Sequence, residues 1–167
     1  MLIRPAVVGE IPAIVTIVNA AYRAEGGEKG WTSEAHLIGG PRTREADVGE
    51  LMRGRGLILT AWEGAEMVGC VYLLVEGDKL NLGMLSVRPA LQGAGTGKFL
   101  MAAATEYAKQ RQCKAIRITV ISVRDELIAW YERHGFRRTG EIEPFHAGDR
   151  FGTQKQPLEL AVLEREL

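Results

Sequence analysis

The chain has 167 residues, of which 46% are hydrophobic and 25% are charged, a composition typical of globular proteins. Its 21 Lys and Arg residues balance 21 Asp and Glu residues, so no net field attracts nucleic acid or an anionic membrane. These values predict a single domain over residues 1–167 and exclude polyanion binding that depends on net charge.

The amino-terminal residues predict neither export nor membrane insertion. Residues 1–5 lack the basic start, apolar run and cleavage site of a secretory signal peptide. The apolar stretch over residues 11–21 is interrupted by proline and asparagine and is shorter than the roughly 20 residues that a bilayer span requires. We therefore expect a cytoplasmic protein with no membrane partner.

The first third of the chain predicts a strand, two helices and a long loop between the helices. Residues 2–6 resemble a short strand, and apolar residues then recur every three or four positions in a helix whose first turn contains Pro12. Residues 24–44 carry turn residues without a sustained period, which is typical of a functional lid. A second helix is predicted over residues 43–53, with Thr43 as its cap.

The rest of the chain predicts six strands and two helices. Short polar connectors that contain glycine separate the first three strands, which is typical of antiparallel hairpins. The predicted elements are strands at 57–62, 67–75 and 80–87, a helix after a glycine-rich turn, a strand at 115–121, a helix at 125–134, and strands at 136–142 and 158–163. The order β-α-α-β-β-β-α-β-α-β-β predicts an α/β fold in which helices pack on a mixed sheet.

The most informative segment is the turn that joins the third hairpin strand to the next helix. Gln92, Gly95 and Gly97 form the pattern Gln-x-x-Gly-x-Gly, and Lys98 follows directly. Glycines let the backbone curl, and a helix start adds unsatisfied N–H groups and positive dipole charge, a geometry that holds a pyrophosphate. The same glycines could merely form a tight strand-to-helix turn, so the pattern alone leaves both interpretations open. Neither a Walker loop nor a dinucleotide fingerprint is evident.

Three segments of the sequence, which also have the correct spacing relative to one another, resemble the GNAT superfamily of N-acetyltransferases. Residues 83–89 followed by 92–97 match the family's central strand and its Q/R-x-x-G-x-G/A loop for acyl-CoA. Residues 130–136, Trp-Tyr-Glu-Arg-His-Gly-Phe, resemble the family's Y-E-x-x-G-F segment. Residues 3–6 and the helix start after them are similar to its amino-terminal strand and helix. The resemblance covers nearly the whole chain and implies the acyl-CoA N-acyltransferase fold with acetyl-CoA as cosubstrate.

The resemblance also implies which residues bind the coenzyme. The backbone of the central strand would pair with the pantetheine amides, and the turn would bind the phosphates. A backbone N–H near the strand's end is the implied oxyanion donor, and Gly83 suggests a bulge that would expose it. The implied residues are Leu85, Ser86 and Val87 on the strand, and Gln92, Gly93, Ala94, Gly95, Thr96, Gly97 and Lys98 in the turn.

Tyr131 is the predicted catalytic acid. A phenol with a pKa near 10 stays protonated at neutral pH and can give its proton to the thiolate of CoA, whose thiol should titrate near 8.5. Periodicity alone favours a different interpretation, in which Tyr131 packs in the core beside Leu127 and Ile128. The resemblance to the Y-E-x-x-G-F segment favours the catalytic role.

The sequence departs from the family pattern in two places. The family often has asparagine seven residues before the helix tyrosine, where this chain has Arg124. Arg124 could meet a phosphate or a substrate carboxylate, or it could be an exposed residue at a helix start. The central strand over residues 82–87 carries no carboxylate that could act as general base. The remaining candidates are usually solvated surface groups: Glu25, Glu28, Glu34, His36, Glu76, Asp78 and His146.

The other notable residue types predict no metal site. The three histidines are far apart in sequence, and Cys70 and Cys113 are isolated, so no metal-ligand spacing occurs and both cysteines are expected to be free thiols. The aromatic residues Trp31, Phe145 and Phe151 lie in loops, where they could line an acceptor pocket or cover the core.

These observations predict an acetyl-CoA-dependent N-acetyltransferase that acts on a primary amine of a small molecule. A protein amine as acceptor and a non-catalytic acyl-CoA sensor are the alternatives, and a nucleotide-binding regulatory domain would rest on the glycines alone. Nucleic acid and membranes are not expected partners, whereas a homodimer is compatible with the sequence.

Overall fold

The computed structural model describes residues 1–27, 30–145 and 152–167. The helices are α1 (Ile11–Arg23), α2 (Glu45–Arg53), α3 (Thr96–Gln110) and α4 (Asp125–Arg133). The strands are β1 (Leu2–Pro5), β2 (Ile38–Gly39), β3 (Leu57–Glu63), β4 (Glu66–Glu76), β5 (Lys79–Val87), β6 (Ala115–Ile121), β7 (Arg137–Pro144), β8 (Thr153–Gln154) and β9 (Glu159–Glu166). The predicted element order is confirmed, with β2 and β8 added. These two strands are too short to leave a hydrophobic period.

The strands form the predicted mixed sheet. Seven of them lie in the order β1-β3-β4-β5-β6-β9-β7, and β2 pairs with β8 in a separate two-stranded sheet. All pairs are antiparallel except β5 with β6, which run parallel. A parallel pair needs a crossover connection, and α3 provides it between these two strands.

The parallel pair separates soon after it begins. β5 and β6 are in register only from Lys79 with Ala115 to Asn81 with Arg117. β5 stays paired with β4 as far as Val87, and β6 stays paired with β9 to its last residue. The carboxyl-terminal halves of β5 and β6 therefore leave a gap in the sheet, and the candidate site lies at this gap.

Apolar side chains are buried on both faces of the large sheet. One cluster packs α3 and α4 against the sheet through residues such as Leu100 and Ile128. The other packs α1 and α2 against it through Ile14, Val18 and Val48. Each fully buried aliphatic side chain contributes roughly 1.5–3 kcal/mol relative to an exposed one. The two clusters fix the helices that carry the site residues.

The second helix begins later than its sequence suggests. α2 starts at Glu45 rather than at residue 43, and Thr43 does not cap it. Thr43 is instead buried, and its backbone N–H and C=O are both hydrogen-bonded to the side chain of Asn19, at 3.0 Å each. A tertiary contact therefore replaces the local cap. Cys70 and Cys113 are buried free thiols. Across the three described ranges, the helices are too short or too polar to span a bilayer.

Candidate active site

A cleft of about 570 Å³ lies beside the carboxyl-terminal end of β5. It brings together most of the residues that the resemblance implied. Leu85, Val87, Gln92, Gly93, Gly95, Thr96, Gly97, Lys98 and Tyr131 line it, together with further residues of α1, α4 and the loop after α1. Ser86 and Ala94 are not among the lining residues. The cleft thus joins the glycine-rich turn, the gap beside β5 and the proposed acid.

The glycine-rich turn presents a row of backbone N–H groups. Gly93 and Gly95 have φ angles of +91° and +94°, a conformation that favours glycine. Ala94 donates its N–H to the Leu91 carbonyl at 3.2 Å, so this group is used within the turn. In the described part of the chain, no protein acceptor takes the N–H groups of the other residues, which are Gly93, Gly95, Thr96, Gly97 and Lys98. Five such donors at the start of α3 fit the diphosphate of a CoA molecule.

The Gln92 side chain is used within the protein. Its Nε2 donates to the Thr32 hydroxyl at 2.7 Å and to the Val87 carbonyl at 3.2 Å. Its Oε1 is buried and has no partner in the described ranges. A Cβ at Gly30 would lie 2.1 Å from that Oε1, so glycine is needed for this approach. Gln92 therefore fastens the loop after α1 to the end of β5.

A β-bulge interrupts β5 beside the cleft. Cys70 is in register with Ser86 and Tyr72 with Gly83, so two residues of β5 face a single residue of β4. The bulge expected near Gly83 thus lies at Met84 and Leu85. Met84 has a φ angle of +52°, which costs a residue with a side chain roughly 1–2 kcal/mol.

Two side chains hold this bulge in place. The Ser86 hydroxyl donates to the Met84 carbonyl, and the Tyr22 hydroxyl donates to the Leu85 carbonyl, both at 3.0 Å. Leu85 and Val87 each have a carbonyl that already accepts a side-chain hydrogen bond. Pantetheine amides that pair with β5 would therefore use N–H groups of the strand or the second lone pair of a carbonyl oxygen.

Tyr131 lies at the boundary between the core and the cleft. It is 5% exposed, and its ring makes edge contacts with Trp130 at 5.1 Å and Phe136 at 5.5 Å between centroids. Tyr131 therefore packs in the core, as periodicity predicts, and also lines the cleft, as the motif implies. Burial raises the pKa of Tyr131 above its usual range, Tyr22 raises it further, and Arg124 opposes both effects.

The candidate general bases are scattered. Glu25, His36, Glu76 and Asp78 are exposed and do not line the cleft. Glu34 is buried in ion pairs with Arg23 and Arg124. Glu28 and His146 lie outside the described residues. Glu126 of α4 also lines the cleft, but nothing in the sequence distinguishes it from an ordinary acidic residue in the first turn of a helix.

Aromatic side chains form one wall of the cleft. Trp31 and Trp130 both line it, with ring centroids 6.4 Å apart. Tyr22 also lines it, and burial raises its pKa to about 12. Nothing local in the sequence marks the contact of Tyr22 with β5, because its partner Leu85 is 63 residues away. Phe145 packs instead with a separate apolar cluster, and Phe151 lies outside the described residues.

Solved structures with the same fold include several acetyltransferases. A ribosomal-protein-alanine N-acetyltransferase from Brucella melitensis has a TM-score of 0.74 and 21% identity, with 100% of each chain covered. An IAA acetyltransferase from Bacillus cereus has a TM-score of 0.71 and 20% identity, with 99% of each chain covered. The yncA protein of Salmonella typhimurium, solved with its cofactor acetyl-CoA, has a TM-score of 0.70 and 21% identity, covering 100% of this chain and 94% of that one. At these identities the likeness shows a shared fold.

The solved structures show the fold, and a comparison with sequence-family models shows which family the chain belongs to. No curated protein sequence matches the chain at a significant level. The family model described as "Acetyltransferase (GNAT) family" matches residues 15–136, which is well over half of the chain. Those residues include the bulged strand, the glycine-rich turn and Tyr131. The chain therefore belongs to the GNAT family of acetyltransferases, which uses acetyl-CoA.

Proposed function

We propose that this protein transfers the acetyl group of acetyl-CoA to a primary amine of a small molecule by direct attack. The single observation that supports this most is the cleft in which the free N–H groups of the turn, the bulge of β5 and Tyr131 come together. Such a cleft can hold a coenzyme by its diphosphate and present its other end to the phenol. The single-domain organisation, the cytoplasmic location and a homodimer remain predictions.

Acetyl-CoA supplies an activated acetyl thioester, and the chain supplies the groups around it. The amine nitrogen forms a bond to the acetyl carbon, the carbon–sulfur bond breaks, and the amine loses a proton to water or a base. Tyr131 donates a hydrogen bond, and then its proton, to the departing sulfur. The Leu85 N–H is the proposed hydrogen-bond donor to the carbonyl oxygen of the acetyl group. Such a donor lowers the activation free energy by roughly 3–4 kcal/mol.

Tyr131→Phe should lower kcat by about 100-fold while the dissociation constant of acetyl-CoA changes by less than about twofold. The substitution removes the hydroxyl and keeps the ring that packs against Trp130 and Phe136. Since burial raises the pKa of this phenol, its ionisation should not limit the rate below about pH 10. Steady-state kinetics with thiol detection measures the change. Tyr107→Phe, on α3 and away from the lining residues, is the control, and an unchanged kcat in Tyr131→Phe contradicts the proposed acid.

Ser86→Ala should lower kcat by about tenfold with little change in coenzyme affinity. The Ser86 hydroxyl is bonded to the Met84 carbonyl, which belongs to the same peptide unit as the proposed Leu85 donor N–H. Without that bond the peptide loses a polarising and orienting contact, which also costs about 1 kcal/mol of stability. Thr16→Ala is the control, because it removes a hydroxyl-to-carbonyl bond of equal length on α1. Equal effects of both substitutions on kcat would rule out a positioning role.

A non-catalytic acyl-CoA sensor is the second candidate, favoured by the absence of a carboxylate from residues 82–87.

Thermal stabilisation by acetyl-CoA, CoA and ATP, measured in parallel, tests which coenzyme the protein binds. A ligand at about 100 times its dissociation constant adds ~2.7 kcal/mol to the free energy of unfolding. A panel of small amines and amino-terminal peptides, read by thiol release, then tests transfer. Protection by ATP alone contradicts both candidates, and protection by acetyl-CoA without thiol release favours the sensor.

A further inference from the structure

Two tryptophan rings face the cleft near the glycine-rich turn. We call Trp31 and Trp130 the tryptophan wall, because both residues line the cleft and their ring centroids are 6.4 Å apart. Trp31 is 41% exposed, although tryptophan has one of the largest apolar surfaces of all side chains. Apolar and aromatic surface inside a cleft is typical of a ligand contact. The tryptophan wall therefore offers apolar surface to whatever occupies the cleft.

Trp130 lies between the glycine-rich turn and the proposed acid. A Cβ added at Gly97 would lie 3.5 Å from the Trp130 ring, so this ring packs on the turn. The same ring makes an edge contact with Tyr131 at 5.1 Å and stacks on His134 at 4.0 Å between centroids. A coenzyme held by its diphosphate at the turn and by its sulfur at Tyr131 must pass this ring. The segment that joins those two groups is the pantetheine arm.

Trp31 belongs to a loop segment that is fastened at the same end of the cleft. The next residue, Thr32, donates its hydroxyl to the Ala21 carbonyl at 2.9 Å and accepts a hydrogen bond from Gln92 Nε2 at 2.7 Å. Gln92 also donates to the Val87 carbonyl at 3.2 Å, which joins the segment to the end of β5 nearest the turn. These bonds fix the backbone beside Trp31, while its ring remains partly exposed.

The pantetheine arm has both of the polarities that this part of the cleft can satisfy. Its two amides can pair with the backbone of β5, as an added strand does. Its pantoyl group also carries a carbon with two methyl groups, which amide pairing leaves in water unless an apolar surface covers them. A cleft with β5 on one side and the tryptophan wall on another accommodates the amides and the methyl groups together.

We infer that Trp31 and Trp130 bind the pantoyl part of the pantetheine arm, and that Gln92 positions Trp31 through Thr32. This inference rests on the coenzyme placement of the proposed function. It adds the loop after α1 to the coenzyme contacts, which the sequence motifs assigned to β5 and the turn. It also separates two parts of the turn: the backbone N–H groups face the diphosphate, and the Gln92 side chain holds the tryptophan wall.

The test compares two ligands that differ only by the arm. CoA contains it, whereas adenosine 3′-phosphate 5′-diphosphate keeps the nucleotide and the diphosphate and lacks the arm. In isothermal titration, Trp31→Ala should bind CoA about tenfold more weakly and the truncated ligand less than about twofold more weakly, because only CoA reaches the ring. Trp31→Phe should keep part of the affinity for CoA. Phe99→Ala is the control, since Phe99 is 56% exposed on α3 and is not among the lining residues.

Thr32→Val tests whether Gln92 acts through the tryptophan wall. The substitution keeps the shape of the side chain and removes the hydroxyl that accepts from Gln92. We expect about fivefold weaker binding of CoA and unchanged binding of the truncated ligand. The double variant Trp31→Ala with Thr32→Val should bind CoA no more weakly than Trp31→Ala alone, because the contact that Thr32 positions is already lost. Additive losses in the double variant would contradict the positioning role.

Three results overturn the inference. Equal weakening of both ligands by Trp31→Ala would mean that the ring acts on the nucleotide or on the fold. Unchanged affinity for CoA with weaker binding of an amine acceptor would place Trp31 in the acceptor site instead. Failure of the unmodified protein to bind CoA would remove the coenzyme placement itself.

The inference and the proposed acetyl transfer fail separately, because the test measures binding alone. The expected losses of CoA affinity, without thiol release from acetyl-CoA with any amine, would support the tryptophan wall and contradict acetyl transfer. Since the Trp31 ring is partly exposed, Trp31→Ala should fold, and an unchanged Tm in the absence of ligand checks this.

Discussion

Gly95→Glu is expected to bind acetyl-CoA at least about 100-fold more weakly than the unmodified protein. Gly95 sits among the free N–H groups of the turn, and its φ of +94° strains any residue with a side chain. Two like charges about 4 Å apart repel by about 4 kcal/mol at an effective dielectric constant of about 20. Since every 1.4 kcal/mol is about tenfold in affinity, a 100-fold loss remains after allowance for solvent screening.

Isothermal titration with acetyl-CoA measures this loss, and Gly140→Glu provides a matched control. Gly140 has a φ of +90° and, like Gly95, has no atom within 4 Å of an added Cβ, but it lies on β7 outside the cleft lining. Gly140→Glu therefore introduces the same backbone strain and the same negative charge, but far from the proposed site of the diphosphate. If Gly95→Glu and Gly140→Glu bind acetyl-CoA equally well, the diphosphate is not held by this turn.

Glu34→Gln is expected to lower the free energy of unfolding by about 3–5 kcal/mol. Glu34 is ion-paired with the buried guanidinium groups of both Arg23 and Arg124. Its neutralisation breaks both ion pairs and leaves the buried Arg124 charge, whose Nη1 has no hydrogen-bond partner among the described residues, without its carboxylate. This loss is large against the roughly 5–15 kcal/mol that stabilises a typical domain.

Chemical denaturation of the variant measures this change, and Glu106→Gln on the exposed face of α3 is the control. The double variant Glu34→Gln with Arg124→Gln should recover part of the lost stability, because it also removes the Arg124 charge that Glu34 compensates. A loss below about 0.5 kcal/mol in Glu34→Gln, as for an ordinary surface substitution, would mean that the cluster is solvated.

Local patterns were sufficient to predict the longer elements, but not the two-residue strands β2 and β8. β6 over residues 115–121 matches its prediction, and the hairpin strands differ from theirs by about one residue at their ends. Apolar residues in these segments alternate or recur at helical spacing over many residues, so the pattern can be recognised without knowledge of the tertiary packing. The start of α2 was wrong because Asn19, which is 24 residues away from Thr43, binds the backbone that a local cap would otherwise satisfy.

Candidate site residues could be selected from the sequence where the motif consists of consecutive residues. The turn from Gln92 to Lys98 carries its chemistry in its own backbone, and glycine spacing reports backbone conformation directly. Tyr131 could be selected because its motif is local. The role of the Gln92 side chain could not be predicted, since its partner Thr32 is 60 residues away.

The order of the longer helices and strands, the glycine-rich turn and the candidate acid could all be derived from local sequence patterns, because each depends on residues that are neighbours in the chain. The contact of Tyr22 with the Leu85 carbonyl, 63 residues away, and the buried cluster of Arg23, Glu34 and Arg124 are visible only in the folded protein. Hydrogen bonds and ion pairs between such distant segments depend on how the helices pack on the sheet. Packing of that kind leaves no period or spacing in the sequence.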